Sequence, residues 1–211
     1  MSDFEVLAQA VHKGDFATAV AETQKALDGG ITIQDILDNG LIATMDEVGE
    51  NFSKGTVFVP QMLRSAKTMQ KCMELIQPFF KEAEVVSKGK VLIGTVKGDL
   101  HDIGKNLVAM MMEGAGFTMI DLGVDVSPDK FVQKIQEVEP DLVAMSALLS
   151  TTMPSMPLTV EAIQQAGVRD KVKIIIGGAP VTQKYADEIK ADAYASDAGS
   201  AVSKAKELLG V

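Results

Sequence analysis

The apolar residues of this chain change their spacing once, near residue 88, and that single change demands two architectures in one polypeptide. Up to about Val86 they recur every three or four residues, the period of a helix with one buried face. Phe4, Leu7, Ala8 and Val11 form one stripe. Phe16, Val20, Thr23 and Leu27 form a second, closed by Gly29-Gly30, and Ile33, Ile36, Leu37, Leu41, Met45 and Val48 form a third. The fourth, Val59, Met62, Ala66, Met69, Met73 and Ile76, steps regularly by three and four, with Pro60 in a first turn where its missing N–H has no helical partner anyway. Four amphipathic helices with short connections predict an antiparallel four-helix bundle over residues 1–86.

From Lys90 onward, short β-rich runs alternate with helical ones. Strands are predicted over Val91–Val96, Thr118–Leu122, Leu142–Ser146, Lys173–Ile176 and Ala193–Ala195. Helices are predicted over Ile103–Glu113, Pro128–Glu137, Met156–Ala166, Val181–Ile189 and Ala201–Leu209. Such alternation implies an α/β domain over 90–211, a Rossmann-like (flavodoxin-like) parallel sheet of five strands with right-handed crossovers. Strands apolar on both faces fit a sheet covered by helices on both sides. Residues 77–89, with Pro78, mixed charge and a terminal Gly89, are the expected linker.

Charge narrows the function classes. The net charge of −9 argues against a nucleic-acid binder, which needs a basic face. Residues 1–86 hold 7 basic and 13 acidic side chains, residues 87–211 hold 13 and 16, so the acidity is concentrated in the helical half. No apolar run approaches the ~20 residues that span a bilayer. The acidic start, Met1-Ser2-Asp3-Phe4-Glu5, lacks the pattern of a signal peptide, and a cytoplasmic location is expected. A lone cysteine, Cys72, excludes an internal disulfide and a multi-cysteine zinc site. The twelve methionines read as soft packing in a Trp-free chain, and His12 as a solvated residue of the first helix.

In an open α/β sheet, ligands bind beyond the carboxyl ends of the strands. The first of these ends carries Lys97-Gly98-Asp99-Leu100-His101-Asp102-Ile103-Gly104-Lys105. It is not a Walker A loop, since five residues separate Gly98 from Gly104 and Asn106 follows Lys105. No GxGxxG or G-x-S-x-G is present, and Ser146 stands where a phospho-accepting receiver needs an acid. What remains is a histidine two residues after an aspartate. One imidazole cannot build a metal cage, but it can be an axial ligand to a metal held by a macrocycle, with a carboxylate fixing its tautomer. The other reading is a loop histidine, with Asp99 or Asp102 capping the next helix.

The spacing of three motifs adds a family resemblance. Asp99-x-His101-x-x-Gly104 is followed by 41 residues, then Ser146-x-Leu148, then 28 residues, then Gly177-Gly178. This resembles the D-x-H-x-x-G…S-x-L…G-G signature of cobalamin-binding domains. The segment Thr95–Asn106 is similar to the corrinoid-binding module of cobalamin-dependent methionine synthase. The whole chain resembles the methyltransferase cognate corrinoid proteins, the small methyl carriers of anaerobic methyltransferase systems.

The resemblance implies that a corrinoid binds with its nucleotide base displaced and with His101 as the cobalt's lower axial ligand. Asp99 would then hydrogen-bond the far side of the imidazole, and Thr152, where methionine synthase has a serine, would continue the relay. Gly104, Ser146, Leu148, Gly177 and Gly178 would line the nucleotide slot, with Asp102 and Ile103 as further cofactor contacts. Gly177-Gly178 alone also fits an ordinary strand-to-loop turn. The helical half resembles the cap of this family, with Phe52 and Val59 shielding the methyl group; both also fit the bundle core. The implied partners are a substrate-specific methyltransferase, a second methyltransferase serving tetrahydrofolate or coenzyme M, and a reductive activase. Methanol, methylamines, betaines and methoxylated aromatics are the donors such carriers serve. Two rival readings share the binding motifs. A mutase small subunit would not need residues 1–86, and a cobalamin-sensing regulator should carry a basic DNA-binding module that this chain lacks.

Overall fold

The computed structural model describes residues 4–79 and 87–211, which fall into two compact units, the first reaching Ser87 and including Glu113–Gly116, the second made of Lys88–Met112 and Phe117–Val211. Residues 80–86 of the expected linker lie outside the described residues. Among the described residues no helix is long and apolar enough to cross a membrane.

The first unit is helical: α1 (Glu5–Lys13), α2 (Phe16–Asp28), α3 (Ile33–Asp35), α4 (Ala43–Ser53) and α5 (Val59–Ile76). Asp15 caps α2 by accepting the Thr18 N–H, and Thr32 caps α3 by accepting the Asp35 N–H. Leu7, Val11, Leu41, Met45, Val48, Met62, Met69 and Ile76 fill the core, as their spacing predicts. Two features differ from the sequence reading. The third stripe is not one α-helix, because Ile36–Ile42 forms a π-helical stretch between α3 and α4. The buried face of α2 is Ala19, Thr23 and Ala26, while Phe16 is 44% exposed. Small side chains let α2 approach its neighbours α1 and α5 closely, and the larger Phe16 is left at the rim.

The second unit is an α/β sandwich. Its strands are β1 (Lys90–Thr95), β2 (Thr118–Asp121), β3 (Leu142–Ser146), β4 (Lys173–Gly177) and β5 (Ala193–Ala195). Between and after them run α6 (Ile103–Gly114), α7 (Pro128–Val138), α8 (Ser155–Gln165), α9 (Gln183–Glu188) and α10 (Ala198–Leu209). All pairings are parallel, in the order β2-β1-β3-β4-β5, the flavodoxin-like order. Every predicted strand is present within a residue or two of its predicted bounds. Helix α10 begins earlier than predicted, because Asp197 and Ser200 form a reciprocal capping box. Residues 91–93 of β1 and 142–145 of β3 are buried, so these central strands read as apolar runs, whereas the edge strand β2 is only half covered. Leu92, Val143, Ile174, Phe131, Ile135, Met156 and Ile163 pack one face of the sheet under α7 and α8. The strand order reverses between β1 and β3, which places the loops after these two strands side by side.

Candidate functional site

Asp99 and His101 lie in the loop after β1, and the partners of Asp99 come from the loop after β3. The loop opens with a tight turn in which the Asp99 N–H donates to the Val96 carbonyl at 3.1 Å. Gly98 occupies the third position of that turn at φ +86°, the conformation that a type II turn requires and that glycine adopts without strain. The Thr95 hydroxyl donates to the His101 carbonyl at 2.9 Å, and the Ser155 hydroxyl donates to the Lys97 carbonyl at the same distance.

The Asp99 side chain is completely buried. Its Oδ1 accepts the His101 N–H at 3.0 Å and lies 2.7 Å from His101 Nδ1. Its Oδ2 accepts the Thr152 hydroxyl at 2.7 Å, the Leu148 N–H at 2.8 Å and, more distantly, the Leu149 N–H at 3.4 Å. Burial pushes this carboxyl up. The hydrogen bonds from Thr152, from the His101 N–H and ring, and from the Leu148 N–H outweigh it and hold the group well below the usual carboxylate range. An ionised carboxylate only accepts, so the proton of a neutral imidazole sits on Nδ1 and the lone pair on Nε2. Thr152, itself buried, has a second acceptor in the Leu149 carbonyl at 2.9 Å.

Around the half-exposed imidazole the surface is unusually apolar. Leu100 is 71% exposed and Ile103 77%, and Leu148 and Leu149 are exposed beside Asp99. Asp102 is exposed at the start of α6, and a side-chain carbon added at Gly104 would meet nothing within 4 Å. Ser146, half-buried, pairs with Thr95 on one side and Gly177 on the other. A Cβ at Gly178 would stand 1.9 Å from the Ala147 carbonyl oxygen, and one at Gly177 3.0 Å from that of Ala195. With φ at +128°, Gly178 is required by the contact between the β3 and β4 loops themselves.

The structure therefore brings Asp99, His101, Leu148 and Thr152 into one hydrogen-bonded group at the switch point. It sets Ser146 and Gly177 in register beside them. Phe52, half-buried at the end of α4, and Val59, the first residue of α5, belong to the helical unit. Val59 is 37% exposed, outside the core that its spacing also suited.

Further residues that the sequence reading passed over support the loop. Asp125, at φ +53°, accepts the Gly98 N–H and donates its own N–H to the Asp99 carbonyl. Lys105 is buried and paired with Asp121 and Asn106. The one signal for Asp125 was its place after Gly123-Val124 behind a strand, where a residue tolerant of left-handed backbone is useful.

This site suits a flat, largely apolar group carrying an electrophilic metal. It presents one imidazole nitrogen, tied at its back, amid exposed leucine and isoleucine side chains with clearance over Gly104. Among the described residues no three His, Cys, Asp or Glu side chains gather to hold a free ion.

Comparison with known proteins agrees. Residues 89–204 match a B12 binding domain, and residues 4–77 match a second domain of the same description. Trimethylamine corrinoid protein 2 of Methanosarcina mazei is 42% identical over 98% of this chain and 97% of its own length. The crystal structure of a cobalamin-binding protein from Desulfitobacterium hafniense superposes with a TM-score of 0.83 at 31% identity, covering 99% of both chains. The methanol:cobalamin methyltransferase complex MtaBC of Methanosarcina barkeri superposes with a TM-score of 0.85 at 26% identity, covering 99% of this chain and 80% of that one. With B12 binding domains matched in both units and a relative aligned almost end to end, the chain belongs to the methyltransferase cognate corrinoid proteins.

Proposed function

We propose that this protein carries a methyl group on its corrinoid, taking it from a substrate-specific methyltransferase and passing it to a second methyltransferase that serves tetrahydrofolate or coenzyme M. The corrinoid, when bound, supplies the cobalt that takes up and gives up the methyl group. A reductive activase is the third partner of this reading. The name of the 42% identical relative supports a methylamine as the donor class.

The observation that carries the reading is the half-exposed His101, whose Nδ1 is held by a fully buried carboxylate. That arrangement keeps the Nε2 lone pair available and fixes the ring's direction, which is what an axial ligand needs. Thr152 holds the second oxygen of Asp99, which helps keep the carboxylate ionised and accepting the Nδ1 proton of His101. Leu100, Ile103, Leu148 and Leu149 would exclude water from the lower face of the macrocycle. Gly104, Ser146, Leu148, Gly177 and Gly178 are assigned to the nucleotide slot, with Asp102 and Ile103 as further cofactor contacts. Phe52 and Val59 of the helical unit are assigned to shielding the methyl group.

The test is electron paramagnetic resonance of the cobalt(II) state, with cobalamin reconstituted into protein labelled with ¹⁵N at histidine. Axial splitting should change from the ¹⁴N triplet to the ¹⁵N doublet, and the doublet should be lost in His101→Ala. A triplet that ignores the label would come from the nucleotide base and would refute His101 ligation.

A further inference from the structure

The loop that carries His101 is held at its base by a residue from another part of the chain. Asp125 lies in the β2–α7 connection, 26 positions beyond Asp99 in sequence. Its Oδ1 accepts the Gly98 N–H at 2.7 Å, and its own N–H donates to the Asp99 carbonyl at 3.0 Å. In a type II turn the N–H of the third residue points away from the turn and has no partner within it. Here that N–H is Gly98's, and a carboxylate meets it. The N–H that enters the Gly98-Asp99 dipeptide and the carbonyl that leaves it are thus tied to one residue. Asp99 in turn aims the imidazole.

The conformation of Asp125 is part of the device. It is one of three non-glycine residues at positive φ among the described residues. In that left-handed conformation its N–H and its carboxylate both reach the same turn. Aspartate and asparagine tolerate the conformation better than other residues with side chains. Flanking bonds hold it there: Thr95 N–H to the Gly123 carbonyl and Val126 N–H to the Thr95 carbonyl, each 3.0 Å, with Val96 and Val126 bridged in parallel.

We infer that Asp125 is a positioning residue of the ligand loop, fixing the backbone of Gly98 and Asp99 so that Asp99 presents its carboxylate to His101. This rests on the reading of His101 as the axial ligand. Two demands fall on position 125, tolerance of left-handed backbone and a side-chain acceptor, and they can be separated. Asp125→Asn keeps both. Asp125→Gly keeps the first and loses the second.

Amide exchange and the imidazole ¹⁵N shifts of the cofactor-free full chain test this without any methyl-transfer assay. In Asp125→Gly the Gly98 amide should exchange about tenfold faster, since a charge-assisted bond has been removed. The Nδ1 and Nε2 shifts of His101 should move towards each other as the tautomer loses definition. Asp125→Asn should restore both signals most of the way. Hydroxocobalamin titration should then show weaker binding by Asp125→Gly than by Asp125→Asn. Exchange and ring shifts in Asp125→Gly matching the parent would overturn the inference, whatever cobalamin does. Altered shifts together with cobalamin binding that ignores His101 would leave the clamp standing and refute the ligand reading instead.

Discussion

Replacing Asp99 by asparagine changes one oxygen to an amide and leaves the shape alone, yet the structure gives it nowhere comfortable to point. All the groups facing the carboxylate are donors or can be: the His101 N–H and ring, the Leu148 and Leu149 N–H groups and the Thr152 hydroxyl. If the new NH₂ takes the Oδ2 position, Thr152 can turn its proton to the Leu149 carbonyl and accept from it. The Leu148 N–H then has no acceptor, and the weaker Leu149 contact is lost as well. If the NH₂ takes the Oδ1 position, the His101 N–H is orphaned instead, and the ring must accept at Nδ1, moving its proton to Nε2.

The second arrangement sacrifices one backbone bond, against one strong and one weak in the first, so it should dominate in the cofactor-free protein. An orphaned buried donor costs about 1–3 kcal/mol, and the surviving bonds lose their charge assistance. The Asp99→Asn protein should therefore be about 2–4 kcal/mol less stable than the parent by urea denaturation at neutral pH. Its His101 should carry the proton on Nε2, visible in long-range ¹H–¹⁵N spectra, where the parent shows it on Nδ1. A corrinoid would then meet the wrong tautomer, and binding through His101 should weaken by ~10–100-fold, as for other supporting partners of metal ligands. An unchanged tautomer with a stability loss below about 0.5 kcal/mol would refute the hydrogen-bond accounting for this carboxylate.

Two glycines of the cofactor signature should behave oppositely. Gly104→Ala fills open space at a helical position and should raise cofactor-free stability by up to about 1 kcal/mol while weakening cobalamin binding, whereas Gly178→Ala should cost about 3 kcal/mol or more through strain and overlap; calorimetry with cobalamin titration checks both, and equal effects would refute the distinction. The Lys105–Asp121 pair should be asymmetric. Lys105 is enclosed while Asp121 is partly in water, so Asp121→Asn, which removes the negative charge beside the ammonium and leaves it the neutral Asn106, should cost about 3 kcal/mol and Lys105→Met only about 1 kcal/mol. The reverse order in urea midpoints would show that the carboxylate is the dependent partner. Burial pushes the Cys72 thiol up, with a smaller opposing effect from Thr23. It should resist Ellman's reagent at pH 8 until the helical unit opens. Above the ordinary thiol range the unfolded state ionises first, so stability should fall with rising pH there and should fall less steeply in Cys72→Ala. Rapid labelling of folded protein would contradict that burial.

Much of the fold was legible because it depends on period and chemistry that single segments carry. The central strands read as unbroken apolar runs, and the helix predicted over Pro128–Glu137 matches α7 to within a residue at its end. The π-helical stretch at Ile36–Ile42 was not legible, since Ile36, Leu37, Leu41 and Met45 fit an α-helical stripe as well as the widened turn. On α2 the spacing offers the larger Phe16 to the core, but the smaller Ala19 and Ala26 occupy it, because close helix approach selects for smallness.

For the candidate site, the motif spacing named Asp99 and His101 and the family resemblance added Thr152, and the structure places the three in hydrogen-bonded contact. Neither could name Asp125, because nothing in a linear pattern says that residues 98 and 125 will meet. The motif also mixed two kinds of residue. Gly104 faces open space, and Gly178 is packed against backbone, although each contributes one letter to the same signature. A signature records which residues recur together around a ligand without separating those that touch it from those that let the loops approach one another. That separation needs the missing side chain to be placed in space. At Gly104 an added methyl group finds room that the fold does not use, so the reason for glycine there is to be sought in what binds. At Gly178 the fold itself is sufficient reason.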